Sequence, residues 1–219
     1  GSMAYPFLNK IKNSLQEGAS FIDATDWIDN IKAIKSAEEI EFIKRAATMQ
    51  DQSIGEILNQ IKPGMKNFEL TALAQYSGQL QGSEQGLFLA GSAPLGTPGP
   101  KMGKHMQARK IQEGDQFTLL IENNGPGGFY TELGRTCVIG SASSALKDEF
   151  EFTLEAQKFT LDMIKPGANP KDIFQSYNEF MRQNGRPEEA RLHAHGQGYD
   201  LVERPLICAE ETMTLAPDM

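Results

Sequence analysis

Residues 114–140, GDQFTLLIENNGPGGFYTELGRTCVIG, decide how the rest of the chain is read. Phe117, Leu119 and Ile121 alternate with other residues up to Glu122, the run 123–128 is turn-forming, and a second β-rich run covers 129–139. Two such runs around an Asn- and Gly-rich turn predict a β-hairpin. In the second strand the period of two puts Tyr130, Glu132, Gly134 and Thr136 on one face, and Phe129, Thr131, Leu133, Arg135 and Cys137 on the other. One face thus carries a carboxylate beside a glycine, a residue that lets another group come close to the backbone. A solvated face on an antiparallel sheet has the same pattern, so the flanking sequence must supply the functional signal.

Upstream of the hairpin, Ser36 followed by Glu39 is a capping box. Ile40, Ile43, Ala47, Ile54, Ile57 and Ile61 then recur at helical spacing until Pro63-Gly64. Asn67 is the expected cap of a second helix over about 68–81 with Leu70, Leu73, Ala74 and Leu80 inward. The segment 86–103, GLFLAGSAPLGTPGPKMG, offers a strand only at 87–90 and is otherwise read as loop. Downstream, Ser144 is the expected cap of a third helix reaching Ile164 and Pro166-Gly167, and a fourth helix spans about 171–183. Ile-Lys-Pro-Gly occurs at 61–64 and again at 164–167, each time between two helices, at an offset of 103 residues. The repeat predicts two structurally similar halves, with helices on one side of a mainly antiparallel sheet: an α+β fold with a site between the halves.

Composition bounds the function. The 219 residues are 39% hydrophobic and 23% charged, which is ordinary for a globular domain. A net charge of −8 without a basic cluster argues against nucleic acid or an anionic membrane as partner, since both require a concentrated positive patch. There is neither an apolar run long enough to span a bilayer nor a signal-peptide pattern, and the reading is cytoplasmic. Cys137 and Cys208 form no CxxC and read as free thiols. Residues 1–3, Gly-Ser-Met, read as a tag scar, 4–35 as a lead-in without a long period, and 36–219 as the catalytic-type domain. Near the C-terminus His193 and His195 stand two apart, on one face if they lie in a strand, and Glu203-Arg204-Pro205 follows. Such a pair suits either metal ligation or a polar packing role.

Taken jointly, these motifs resemble one family: the pita-bread fold of methionine aminopeptidases, Xaa-Pro dipeptidases and creatinase. The lead-in FIDATDWIDNIKAIKSAEEIEFIKRAA resembles that family's junction between an N-terminal and a catalytic domain. Gly114-Asp115 before a strand, the hairpin ending in Glu132-Leu133-Gly134-Arg135-Thr136, and His195-Gly196-Gln197-Gly198 before Glu203-Arg204-Pro205 match its motifs in order and spacing. The resemblance implies a site with two metal ions held by two hairpin aspartates, a histidine and two C-terminal glutamates. Here Glu132 takes the second aspartate's place and His195 that of the histidine. The first aspartate falls on Leu120 counted from Gly114 and on Ile121 counted back from Thr136, and Glu122 fits only with a register slip. Val202 replaces the histidine expected before Glu203, and the two C-terminal glutamates have no counterpart before Met219, where strands of the family's fold are also missing. Creatinase, which works without metal and uses histidine as acid and base, is closer at the hairpin. His105, nine residues before Gly114, is the one candidate for its catalytic histidine.

Three functions follow. The first is a hydrolase of C–N bonds in a small amide, guanidino or dipeptide substrate without an intact dinuclear site or other cofactor. His195, Glu132, Glu203, His105 and His193 are its catalytic candidates, and Tyr130, Arg135 and Glu122 its substrate-binding ones. The second is an Xaa-Pro aminopeptidase or dipeptidase using manganese, cobalt or zinc, with Glu132 and His195 as the donors present. The third is a non-catalytic peptide- or protein-binding module. The expected partner is a small molecule or short peptide, and the resemblance implies a homodimer. His195, Glu132 and Glu203 are expected to form one polar cluster on the cleft floor.

Overall fold

The central hairpin forms strands β2 (Asp115–Asn124) and β3 (Tyr130–Val138), antiparallel, with Phe117 opposite Cys137 and Glu122 opposite Glu132. The structure, a computed structural model, describes residues 3–16, 18–100, 102–105 and 108–219; the first two residues of the tag scar and Lys101 lie outside them. Strand β1 (Gly86–Pro94) pairs antiparallel with the other edge of β2. It runs beyond the expected 87–90, because the ladder to the buried β2 keeps Gly91 and Ser92 extended opposite Thr118 and Phe117. Tertiary pairing here overrides a weak local propensity.

One face of this sheet is the core. Phe117, Leu119 and Ile121 are buried against Ile54 and Ile57 of helix α3 (Ala37–Gln60) and Leu70 and Ala74 of helix α4 (Asn67–Leu80). Burying each such side chain contributes about 1.5–3 kcal/mol. The α3 capping box is present: Glu39 N donates to Ser36 Oγ at 3.2 Å, and Ser36 N to Glu39 Oε2 at 2.7 Å. Two expected caps move by one residue. Helix α4 starts one residue earlier because Asn67 turns inward and accepts from Ser92 Oγ at 2.8 Å. Helix α5 (Ser144–Leu161) is capped by Ser143, which accepts from Leu146 N, and it ends before Ile164. Helix α6 (Pro170–Gln183) follows as expected, capped by Asn169.

The lead-in contains two helices that the sequence pattern did not predict, α1 (Tyr5–Ser14) and α2 (Thr25–Ala33). Each spans about three turns or fewer, too short for a helical period to stand out. Ala33 and Lys35 at the end of this segment are buried, and Lys35 N donates to Asp218 O at 2.8 Å.

The two halves echo each other in their hydrogen bonds. Gly64 N donates to Ile111 O and Ile111 N to Met65 O, both at 2.8 Å; Gly167 N donates to Leu215 O at 2.8 Å and Leu215 N to Ala168 O at 2.9 Å. Gly64 and Gly167 both have positive φ, 93° and 88°, the left-handed conformation that glycine adopts without a Cβ penalty. Strands β4 (Ala194–Gly196) and β5 (Glu203–Ile207) form the second sheet, over a smaller core of Ile173, Phe174, Ile207 and Leu215. Between α5, α6 and β4 lies a groove of about 360 Å³. Its walls include Gln157, Thr160, Ile164, Tyr177 and His193. By the 103-residue offset these correspond to Ile54, Ile57, Ile61, Ala74 and Ala90, which in the first half belong to the main hydrophobic core or pack against it.

Candidate active site

The register of the hairpin builds the site. Glu122 stands directly opposite Glu132, so both carboxyls lie on the sheet face away from the core and are hydrogen-bonded to each other. No register slip is needed. Ile121, the position reached by counting back from Thr136, points into the core and is fully buried, while Leu120 lies opposite Gly134. A Cβ on Gly134 would stand 3.3 Å from Leu120 Cδ1, so this glycine makes room for the neighbouring strand.

The third member comes from the other half. His195 is in β4, opposite Leu206, with a bulge between His195 and Gly196. Its Nε2 is 3.3 Å from Glu132 Oε2 and its Nδ1 is 2.9 Å from Gly196 O. Both ring nitrogens therefore face acceptors, an arrangement that suits the doubly protonated imidazolium.

The electrostatics of the trio follow from this geometry. Burial, then repulsion by Glu132, pushes Glu122 up to about 7; only 8% of the residue is exposed. The hydrogen bond from His195 holds Glu132 below the usual carboxylate range, against the effect of burial. The same bond raises His195 above its ordinary value, and burial opposes it. The trio thus combines an imidazole whose charged form is favoured, a carboxylate whose ionised form is favoured and a carboxyl that titrates at about 7.

The other candidates lie elsewhere. Glu203 does not join His195 and Glu132: its buried carboxylate is 3.1 Å from Lys35 Nζ and 3.2 Å from Lys32 Nζ, and it accepts from Asp200 N at 2.8 Å. These lysines satisfy it; in the sequence they show only as two lysines three apart in IKAIKS. His193 does not share a site with His195. It precedes β4, lies against Tyr177 with ring centroids 3.8 Å apart, and burial lowers its pKa. His105 is exposed in a bend, and Arg135 is exposed with its guanidinium on Gly134 O. Tyr130, half-buried, is joined to the loop after His195 through its backbone N–H, which donates to Gly198 O at 2.7 Å. Glu122, expected as a substrate contact and as the first aspartate's stand-in only with a register slip, lies directly beside Glu132.

Residues 41–219 match the family model of metallopeptidase family M24. The chain belongs to that family. Among curated M24-like relatives it is 25% identical to the Xaa-Pro dipeptidase of Pyrococcus furiosus over 100% of this chain and 62% of that protein. It is 24% identical to the probable dipeptidase PepE of Mycobacterium tuberculosis over 90% of this chain and 52% of the relative. The chain thus spans about 60% or less of these relatives' length. The X-Pro aminopeptidase of Thermotoga maritima superposes with a TM-score of 0.83 at 24% identity, covering 98% of this chain and 60% of that one. The methionine aminopeptidase of the same organism gives 0.69 at 20% identity, covering 86% and 79%. These superpositions show the pita-bread fold, and the α+β architecture with two similar halves is that of M24 proteins.

The donors present do not fit a two-ion site. Among the described residues no group of three or more His, Cys, Asp or Glu side chains is arranged to hold a metal ion. Glu122 and Glu132 are turned on each other, and His195 spends both nitrogens on protein acceptors. Hard cations require several free oxygen or nitrogen donors converging on one point. Among the described residues no helix is long and apolar enough to cross a membrane.

Proposed function

We propose that this chain carries the acid–base centre of a peptidase-class hydrolase that cleaves the C–N bond of a small amide or short peptide. The observation that carries the reading is the chain of contacts Glu122–Glu132–His195, in which neighbouring groups are driven to opposite protonation preferences. Titratable neighbours whose environments separate their pKa values are the signature of divided acid and base roles.

In this reading Glu132, ionised well below neutrality, takes the proton of an attacking water. His195, whose charged form Glu132 favours, gives a proton to the departing nitrogen. The 3.3 Å contact between them then lets the proton taken up by Glu132 return to the imidazole. Glu122 backs Glu132, its own proton shared across the carboxyl pair. Tyr130, at the rim and joined to the His195 loop, is the proposed substrate contact. The names of the relatives, Xaa-Pro dipeptidase and dipeptidase, support a short peptide with one N-terminal residue before proline as the first substrate to try.

The test is hydrolysis of Xaa-Pro dipeptides by the full chain and by Glu132→Gln and His195→Ala, with thermal stability followed in parallel. General acid–base groups contribute about 10²- to 10⁴-fold, and losses of that size in kcat with the fold intact are expected. Full activity in either variant would remove the residue from the mechanism.

A further inference from the structure

Glu203 is buried, with 5% of the residue exposed, and so is its partner Lys35, at 6%. Nothing in the proposed proton path uses either. Yet the pair is held from many sides: Lys35 Nζ reaches Glu203 Oε2 at 3.1 Å and Ala33 O at 3.3 Å, and Lys32 and Asp200 complete the cluster. A buried ion pair is weak evidence for stability, because well-packed apolar residues of similar volume do as well or better. What such a pair provides is a fixed geometry.

The geometry it fixes is that of the loop carrying His195. Glu203 is the cross-strand partner of Gly196, immediately after His195 and at the bulge. A Cβ on Gly198 would stand 2.7 Å from Glu203 Oε2 and 3.0 Å from Lys35 Cε, so the loop backbone lies directly on the ion pair. Gly198 O in turn accepts from Tyr130 N, two residues before Glu132. The lead-in lysines are thus joined, through Glu203 and the 196–200 loop, to both sides of the His195–Glu132 contact.

We infer that Lys35 and Glu203 are a positioning pair: their ion pair seats the 195–203 loop so that His195 Nε2 meets Glu132. This rests on the acid–base reading of the trio, but its test does not depend on turnover alone. Since one partner removed alone would leave a buried charge and endanger the fold, the main variant is the double change Lys35→Met with Glu203→Leu in the full chain. It is read by urea denaturation, by NMR titration of His195, and by kcat and KM on an Xaa-Pro dipeptide.

The expected result is a folded protein in which the His195 titration moves back toward the ordinary imidazole value. If the wild-type chain turns over the dipeptide, kcat falls about 10- to 100-fold, the scale for misplacing a reacting group, with KM nearly unchanged. Lys35→Arg, which keeps the charge, should retain the raised His195 titration. A folded double variant with unchanged His195 titration would overturn the inference. So would failure of both the double variant and Lys35→Arg to fold, because the pair would then hold the fold and not the site. An inactive wild-type chain would count against the proposed reaction, while the His195 titration would still decide the positioning role.

Discussion

Replacing Glu122 by Gln should make the protein more stable at alkaline pH and leave it nearly unchanged in acid. A carboxyl that titrates at about 7 in the fold and about 4.3 in an unfolded chain favours the folded state while protonated. Its contribution is fully present below the unfolded value and is lost as pH rises through the folded one. At one pKa unit per 1.36 kcal/mol, the loss has an upper bound of roughly 4 kcal/mol. Glu132's side chain is 29% exposed, so water screens the repulsion, and we expect about 1–2 kcal/mol. Glutamine mimics the protonated carboxyl, because its amide still donates to Glu132. The assay is urea denaturation of both proteins at pH 4 and 8.5. The variant should gain about 0.5–1 M in midpoint at the higher pH only, given typical urea slopes. An equal difference at both values would show that Glu122 is not held protonated by burial and by its neighbour.

Further outcomes follow from the same structure. The rate of hydrolysis should rise with pH as Glu132 ionises, below the ordinary carboxylate range, and fall only above the ordinary imidazole value as the raised His195 loses its proton; a pH–rate profile measures both limbs. Phe117→Ala, at a fully buried core position, should cost about 3–5 kcal/mol in denaturant unfolding. Gly127→Ala should destabilise by about 1–3 kcal/mol, because φ there is +95° and the new Cβ would stand 2.7 Å from Phe42 Cδ1, and a lower melting temperature would show it.

The hairpin, the α3 cap and the two-half architecture were legible because each rests on a local signal: alternation, a capping box, and the repeated Ile-Lys-Pro-Gly. The site was only half legible. Glu132 and His195 could be named from motifs, but whether Glu122, Ile121 or Leu120 faces Glu132 depends on strand register, which the turn of the hairpin decides and composition does not. Glu203 is illegible for a different reason. Its motif put it near His195 along the chain, yet its carboxylate is claimed by Lys32 and Lys35, more than 160 residues away in sequence. Long-range charge pairing leaves no periodicity to read. The extent of β1 was missed for the same reason, since only the partner strand β2 keeps its Gly- and Pro-containing end extended.

The measurement that bears most directly on the central claim is the metal content of the purified full chain by elemental analysis, paired with Xaa-Pro dipeptide turnover before and after chelation. The expected result is less than one equivalent of bound transition metal and turnover that survives chelation but is lost in Glu132→Gln. Two ions per chain, with activity removed by chelator and restored by manganese, cobalt or zinc, would contradict it.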